Sequence, residues 1–302
     1  MEIIKPTPIT KLGDLFGNEL YIKRDDMIPF SFGGNKVRKA VLFFEEIDAG
    51  GYDTVVTYGS GSSNHCRIVA NMAAARNMEC IIISTDSESD SINRRLVEDF
   101  GGKVIACAVE KVAQTIDETM NELAEKGKKA YFIQGGGHGN TGTRAYDLAY
   151  DEIKSYEDAE EICFDYIFLA SGTGTTQAGL VCGKRRTGDD CRIVGISIAR
   201  SNPRGGQVVI DSIRDYTGCD DSEDVIFDDG YICGGYGKYD ADIEQTIVET
   251  MRKFGIPLDY TYTGKAFTGM KKYLAKHGVT GKRILFIHTG GTPIYCDWIR
   301  NR

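Results

Sequence analysis

Phe32-Gly33-Gly34-Asn35-Lys36-Val37-Arg38-Lys39 brings a lysine to the start of a helix. Two glycines let the backbone turn sharply or approach another group closely. Asn35 suits the N-cap, and Val37, Ala40, Val41, Phe44 and Ile47 recur at helical spacing, so a helix is expected over 37–47. Lys36 then falls in the first turn, where the helix dipole already places partial positive charge. That setting lowers the pKa of an amine, as a nucleophilic lysine requires. Taken alone, the eight residues also fit a solvated lysine after a glycine turn.

Outward from this helix, strands and helices alternate along the chain. Strands are expected at 19–23, 54–58, 80–83, 104–106, 130–133, 166–170, 192–198 and 283–287. Helices are expected at 66–76, 92–100, 112–125, 144–153, 177–184, 208–216, 243–254 and 267–276. Residues 1–18 read as a lead-in, and 219–240 as an acidic, Gly- and Tyr-rich stretch without a period. Such alternation specifies βαβ units, hence an α/β protein with parallel sheets covered on both faces.

Composition narrows the function. A chain of 302 residues with 41% hydrophobic and 26% charged residues is globular and long enough for one large or two ordinary domains. A net charge of -8 argues against binding nucleic acid. No apolar run approaches a membrane span, and Met1-Glu2-Ile3-Ile4-Lys5-Pro6 lacks the apolar core of a signal peptide. Nine scattered cysteines, with no Cys-x-x-Cys, read as reduced thiols of a cytoplasmic protein. The four histidines form no short-spaced pair, so no metal site is expected.

The glycines carry the functional signal. Four loops rich in Gly, Ser and Thr follow strands: 59–65, 135–142, 171–176 and 288–292. Ligands of open α/β sheets bind where such loops collect, at the carboxyl ends of strands. Ser171-Gly172-Thr173-Gly174-Thr175-Thr176 precedes a helix and offers an anion site, most simply for phosphate. No Gly-Lys-Ser/Thr follows, and the G-x-G-x-x-G spacing is missing, so neither a P-loop nor a dinucleotide fingerprint is present. A phosphate-bearing ligand together with a tuned lysine suggests pyridoxal 5'-phosphate.

The whole pattern resembles the D-cysteine desulfhydrase / 1-aminocyclopropane-1-carboxylate deaminase family of fold-type II pyridoxal-phosphate enzymes. The resemblance rests on Tyr21 to Asp26 with Phe32 to Lys39, Ser63-Asn64-His65 with Arg67, Ser171 to Gly179, Gly235-Tyr236-Gly237, Tyr262 to Ala266, and His288 to Pro293. It implies two domains, each an open, mostly parallel sheet covered by helices. The large one would take 1–45 and 145–302, the small one 46–144. It implies that Lys36 carries the Schiff base and moves the Cα proton. Asn64 would bond the cofactor's phenolic oxygen, and Gly172, Thr173, Gly174, Thr175 and Thr176 would hold its phosphate. Thr289 would meet the pyridine nitrogen. Ser63, Asn64 and His65 would hold the substrate carboxylate, with Tyr236 and Tyr262 beside the substrate as acid or base. It also implies a homodimer.

In the deaminase branch of that family, Glu follows the tyrosine, where this chain has Thr263, and Leu stands in place of Thr289. A neutral partner makes the pyridine ring a weaker electron sink, and elimination tolerates this because the leaving group carries electrons away. The pair therefore favours β-elimination from a small amino acid such as D-cysteine over ring opening. L-Cysteine, cysteate, a β-chloro amino acid, β-replacement, and a non-catalytic cofactor or amino-acid binder stay open. Tyr236 and Tyr262 also fit core-lining tyrosines, and His288 a loop histidine bonded to backbone. The loop Gly135-Gly136-Gly137-His138-Gly139-Asn140 departs from the Gly-Gly-Ser-Asn expected there.

Overall fold

The computed structural model describes residues 4–86, 89–219 and 222–302. Two sheets organise it. The larger has six strands: β1 (Ile9–Leu15), β2 (Asn18–Arg24), β7 (Tyr166–Ser171), β8 (Arg192–Ser197), β9 (Ile226–Asp228) and β10 (Arg283–His288). Their order is β1-β2-β10-β7-β8-β9, parallel except for the β1/β2 hairpin. The smaller is all parallel, in the order β5 (Lys103–Ala106), β4 (Glu79–Ser84), β3 (Thr54–Tyr58), β6 (Ala130–Ile133). The α/β expectation of two parallel-rich sheets flanked by helices is met.

Both faces of the large sheet are covered, so its central strands are continuously apolar. In β10, Ile284 and Phe286 enter one core with Phe168 and Ile196, while Leu285 and Ile287 enter the other with Ile167 and Ile193. On the second face, α5 (Asn140–Glu160) packs on α6 (Thr175–Thr187) at very close range. A Cβ at Gly179 would stand 2.2 Å from the Thr143 carbonyl, and one at Gly183 would stand 2.4 Å from Tyr150 Cβ. Glycine at both places sets the approach that brings the start of α6 into the cleft.

α1 (Asn35–Gly50) faces both sheets. Val37, Ala40, Phe44 and Ile47 share a core with Val55 of β3 and with Ile68 and Val69 of α2 (Asn64–Ala74). Its polar side is pinned to the large sheet by a buried ionic cluster. Arg38 grips Asp25 through Nε to Oδ2 at 3.0 Å and Nη2 to Oδ1 at 2.8 Å, and reaches Glu152 at 2.6 and 2.9 Å. Lys23 joins Glu152, and Tyr146 donates to Asp25. Burial pushes the Asp25 carboxyl up, but the charges of Arg38 and Lys23 overcome this and hold it well below the usual carboxylate range.

Several expectations are corrected. Residues 9–15 form an edge strand; a register shift between Lys11 and Gly13 breaks the period of two that would have revealed it. α5 and α6 begin at Asn140 and Thr175, and α9 (Thr263–Lys276) begins at Thr263, each before its expected start. Small residues read as loop supply the first turns of these helices. α7 (Arg204–Thr217) also starts early, and α10 (Thr292–Arg300) was not foreseen. The acidic stretch holds β9, and its Asp224 pairs with Lys184 at 2.8 Å while Asp229 accepts the Asn202 N–H. Residues 220 and 221 of that stretch lie outside the described residues. α3 (Ile92–Asp99), α4 (Val112–Glu125) and α8 (Ala241–Phe254) complete the helices named here.

Candidate active site

The carboxyl ends of β3, β6, β7, β8 and β10 open onto one cavity of about 340 Å³. Its lining includes Lys36, Ser63, Asn64, His65, Gly172, Thr173, Gly174, Thr176, Tyr236, Tyr262 and Thr289. Of the residues expected to bind cofactor or substrate or to act in catalysis, Thr175 alone is outside the lining. Its hydroxyl is turned away and accepts a 2.5 Å hydrogen bond from Lys39 Nζ.

The lysine is placed by backbone geometry. Gly33 and Gly34 have φ of 63° and 102°, in the region that favours glycine. A Cβ on Gly34 would stand 2.8 Å from the Thr289 carbonyl, and that same carbonyl accepts the Asn35 N–H at 3.0 Å. The end of β10 thus caps α1. Gly34 is the N-cap and Asn35 lies inside the helix, correcting the expected cap; the Asn35 amide reaches Thr176 Oγ1 instead, at 3.1 Å. Lys36 Nζ donates to the Gly136 carbonyl at 2.8 Å, which gives the unusual glycine loop a function. Burial brings the Lys36 pKa down to about 8. Desolvation is the cause, where sequence reasoning offered the helix dipole.

The lowered pKa is testable. Only the neutral amine is nucleophilic, and its fraction grows as pH rises through the pKa. At pH 7 the neutral fraction should exceed that of an ordinary lysine by roughly 300-fold. Acylation of Lys36 in the cofactor-free protein, followed by peptide mass spectrometry, should show a midpoint near pH 8. A midpoint above pH 10 would contradict the desolvated site.

At the start of α2, Ser63 Oγ accepts the Cys66 N–H at 3.2 Å and keeps its own hydrogen free to donate. The N–H groups of Asn64 and His65 begin the helix and have no intrahelical acceptor. Asn64 Oδ1 accepts from Asn93 at 3.0 Å and from Arg67 at 3.4 Å, so its NH2 is left for the cavity. Thr57 Oγ1 donates to the Ile133 carbonyl, so the 2.8 Å contact to His65 must be a donation from His65 Nε2–H. Burial, then the charges of Lys36 and Lys39, keep His65 neutral. Its remaining ring nitrogen is an acceptor, so a carboxylate would be held by its backbone N–H and not by its ring.

α6 has Gly174 as its N-cap and offers free N–H groups at its first turn. Two cations missed in the sequence stand beside it. Lys39 is buried with no carboxylate partner among the described residues, its pKa lowered by burial and by Lys36. Its position one turn after Lys36, on the same side of the helix, was the available signal. Arg200 lines the cavity and donates to the Gly172 carbonyl at 2.6 Å. Across the mouth, Tyr236 and Tyr262 hydroxyls meet at 2.7 Å, and Ser60 lies 3.2 Å from Tyr236. His288 is occupied by backbone: Nε2 donates to Pro257 O at 2.8 Å and Nδ1 accepts the Gly290 N–H at 3.2 Å.

These residues fit pyridoxal phosphate. The phosphate finds a helix N-terminus with Lys39 behind it, and Ser171 Oγ on the same wall is buried without a partner. The aldehyde finds a low-pKa amine, and the phenolic oxygen an amide NH2. Among the described residues, no group of His, Cys, Asp and Glu could hold a metal, and no helix is long and apolar enough to cross a membrane.

Comparison with known proteins agrees. The family model described as "Pyridoxal-phosphate dependent enzyme" matches residues 1–290. A D-cysteine desulfhydrase of Klebsiella pneumoniae is 31% identical, covering 95% of this chain and 92% of its own. A candidate 1-aminocyclopropane-1-carboxylate deaminase of Pyrococcus horikoshii is 33% identical, over 94% and 89%. The crystal structure of an ACC deaminase homologue superposes with a TM-score of 0.89 at 31% identity, over 100% and 95% of the two chains. The cavity and these likenesses lead to one conclusion: the chain belongs to the pyridoxal-phosphate-dependent enzymes, in the family that contains D-cysteine desulfhydrases and 1-aminocyclopropane-1-carboxylate deaminases.

Proposed function

We propose that the protein is a carbon–sulfur lyase that removes the β-substituent of a small amino acid of the D-cysteine type, giving pyruvate, ammonia and sulfide. One observation carries this reading: among the described residues, the cavity lining holds Lys36 and Arg200 but no Asp or Glu. A bound pyridoxal phosphate supplies an electron sink for the substrate's Cα, and without a carboxylate at its ring nitrogen that sink is a moderate one. Breaking a Cβ–S bond suits it, because the sulfur leaves with the electron pair. Thr263, at the position where the deaminase branch carries Glu, is fully buried and bonded to Asp259 at 2.8 Å. It cannot serve as an acid in the cavity.

The chain's own groups divide the remaining work. The N–H groups of Asn64 and His65 and the Ser63 hydroxyl orient the substrate carboxylate. Asn64 would offer its NH2 to the phenolic oxygen, and Thr289 would meet the ring nitrogen as a neutral partner. The loop from Gly172 to Gly174 and the first turn of α6 at Thr175 and Thr176 would take the phosphate, with Lys39 balancing its charge. Lys36, with a pKa near 8, accepts the Cα proton at Nζ. Burial, then the neighbouring Tyr236, raise the Tyr262 pKa, so Tyr262 keeps its proton and can deliver it to the departing sulfur. The proposal includes a division into 1–45 with 145–302 and 46–144, and a homodimer working in the cytoplasm.

A screen of D- and L-cysteine, cysteate, serine, β-chloroalanine and 1-aminocyclopropane-1-carboxylate tests the reading. D-Cysteine should release pyruvate and sulfide in equal amounts. Release of 2-oxobutyrate from the cyclopropane substrate, with no sulfide from either cysteine, would overturn it in favour of the deaminase.

A further inference from the structure

Lys265 has no role in the reading above, yet it is fully buried one turn from the cavity. It stands in the first turn of α9, three residues after Tyr262. Its Nζ donates to three main-chain carbonyls: Ile198 at 2.9 Å, Ile232 at 2.8 Å and Gly235 at 2.9 Å. An ammonium has three hydrogens, so all are used. The acceptors come from two segments. Ile198 belongs to the cavity wall at the end of β8, and Ile232 and Gly235 bound the turn that immediately precedes Tyr236.

Apart from Lys265, the segment is held by short-range bonds, Gly235 N–H to the Ile232 carbonyl and Cys233 Sγ to Asp240 Oδ2 at 3.3 Å, and by the Tyr239 ring 5.0 Å from that of Tyr260. The segment lies between β9 and α8 in neither helix nor strand. Cys233, Gly234, Gly235 and Gly237 all have positive φ, at 48°, 83°, 119° and 71°. Tyr236 itself is 40% exposed, and its hydroxyl reaches only across the mouth, to Tyr262 and Ser60. Three carbonyl dipoles aimed at one point repel one another unless a cation sits between them. The lysine that supplies the cation rides on α9, whose N-cap is Tyr262. One charge therefore sets the spacing of both tyrosines and of the Ile198 wall.

We propose that Lys265 is a positioning residue whose ammonium acts as an internal cation, gathering the three carbonyls and so fixing Tyr236 against Tyr262. The effect on turnover rests on the reading that this pair serves the substrate; the carbonyl cage does not. Removing the side chain as far as Cβ leaves a cation-sized space lined by oxygen, which a free ammonium ion can fill and a tetramethylammonium ion cannot.

The test uses the holoenzyme and its Lys265→Ala and Lys265→Met variants. Chymotrypsin cleavage after Tyr231, Tyr236 and Tyr239 is followed in ammonium chloride and in tetramethylammonium chloride at equal ionic strength. In Lys265→Ala, cleavage should rise about tenfold and return to the wild-type rate in ammonium only, with kcat falling and recovering in step while KM moves little. Lys265→Met, which fills the space with an apolar chain, should be cleaved fast in both salts, and it keeps the test readable if the alanine variant does not fold. The visible absorbance of the cofactor should persist, because Lys36 and the α6 turn are untouched. Wild-type protection in Lys265→Met, or cleavage of Lys265→Ala that ammonium leaves unchanged, overturns the proposal. Cleavage that rises and reverses while kcat stays constant supports the cage and counts against the tyrosine pair's part in the chemistry.

Discussion

Lys36→Ala is expected to abolish both the visible absorbance of the bound cofactor and turnover. Lys36 is the only lysine in the cavity lining. Its neighbour Lys39 cannot substitute, since its Nζ lies outside that lining against Thr175 Oγ1. Loss of a proton-transferring group costs about 10²–10⁴-fold in rate. Losing the covalent anchor adds to this, so residual activity should fall at or beyond the upper end. Compared in their cofactor-free forms, the variant should match or exceed the wild type in stability, because a desolvated amine at the cavity wall weakens the fold. The readouts are absorbance at roughly 410–430 nm, where pyridoxal Schiff bases absorb, product release, and the thermal midpoint. A variant that kept colour and turnover would remove Lys36 from the reaction.

Asp25→Asn should be the most destabilising of the conservative changes. Asp25 is fully buried, and it accepts from Arg38 twice, from Tyr146 and from Thr7. An amide offers one oxygen where four donors converge and leaves the Arg38 guanidinium half-neutralised. Breaking a buried ion pair costs about 3–5 kcal/mol. That is a large share of a total stability of about 5–15 kcal/mol. The urea midpoint should fall accordingly, whereas Glu19→Gln, at the exposed Lys11 pair, should leave it in place. The sign with pH follows from a depressed native pKa. The Asp25 contribution is fully present above the unfolded carboxylate range, about pH 4, and is lost as pH falls towards the native value. The gap between wild type and Asp25→Asn should therefore be widest near neutrality and narrow in acid. A gap constant down to pH 3 would show that shape, not charge, is what the asparagine disturbs.

The two predictions meet at α1. Its apolar residues at helical spacing were legible, and so was Lys36 at its start. Arg38 and Lys39 were legible only as charges. Nothing local shows that Arg38 meets Glu152, 114 positions away, or that Lys39 ends on a threonine hydroxyl of α6. Two strands were hidden for different reasons. A register shift masks β1, and β9 has only three residues, too few for a period to register.

Taken by itself, the amino-acid order determined the alternation of strand and helix, the glycine-rich turns after the strands, and a lysine placed at a helix start. These are local matters of backbone freedom and side-chain period. Tertiary structure alone decided the chemistry of the cleft. It brought Lys36 to the Gly136 carbonyl and lowered its pKa by taking it out of water. It fixed His65 as a ring acceptor by spending Nε2–H on Thr57, turned Thr175 away, and buried Thr263 in a cap. Hydrogen-bond partners distant in sequence and loss of solvent set these outcomes, and neither is encoded within a window of neighbouring residues.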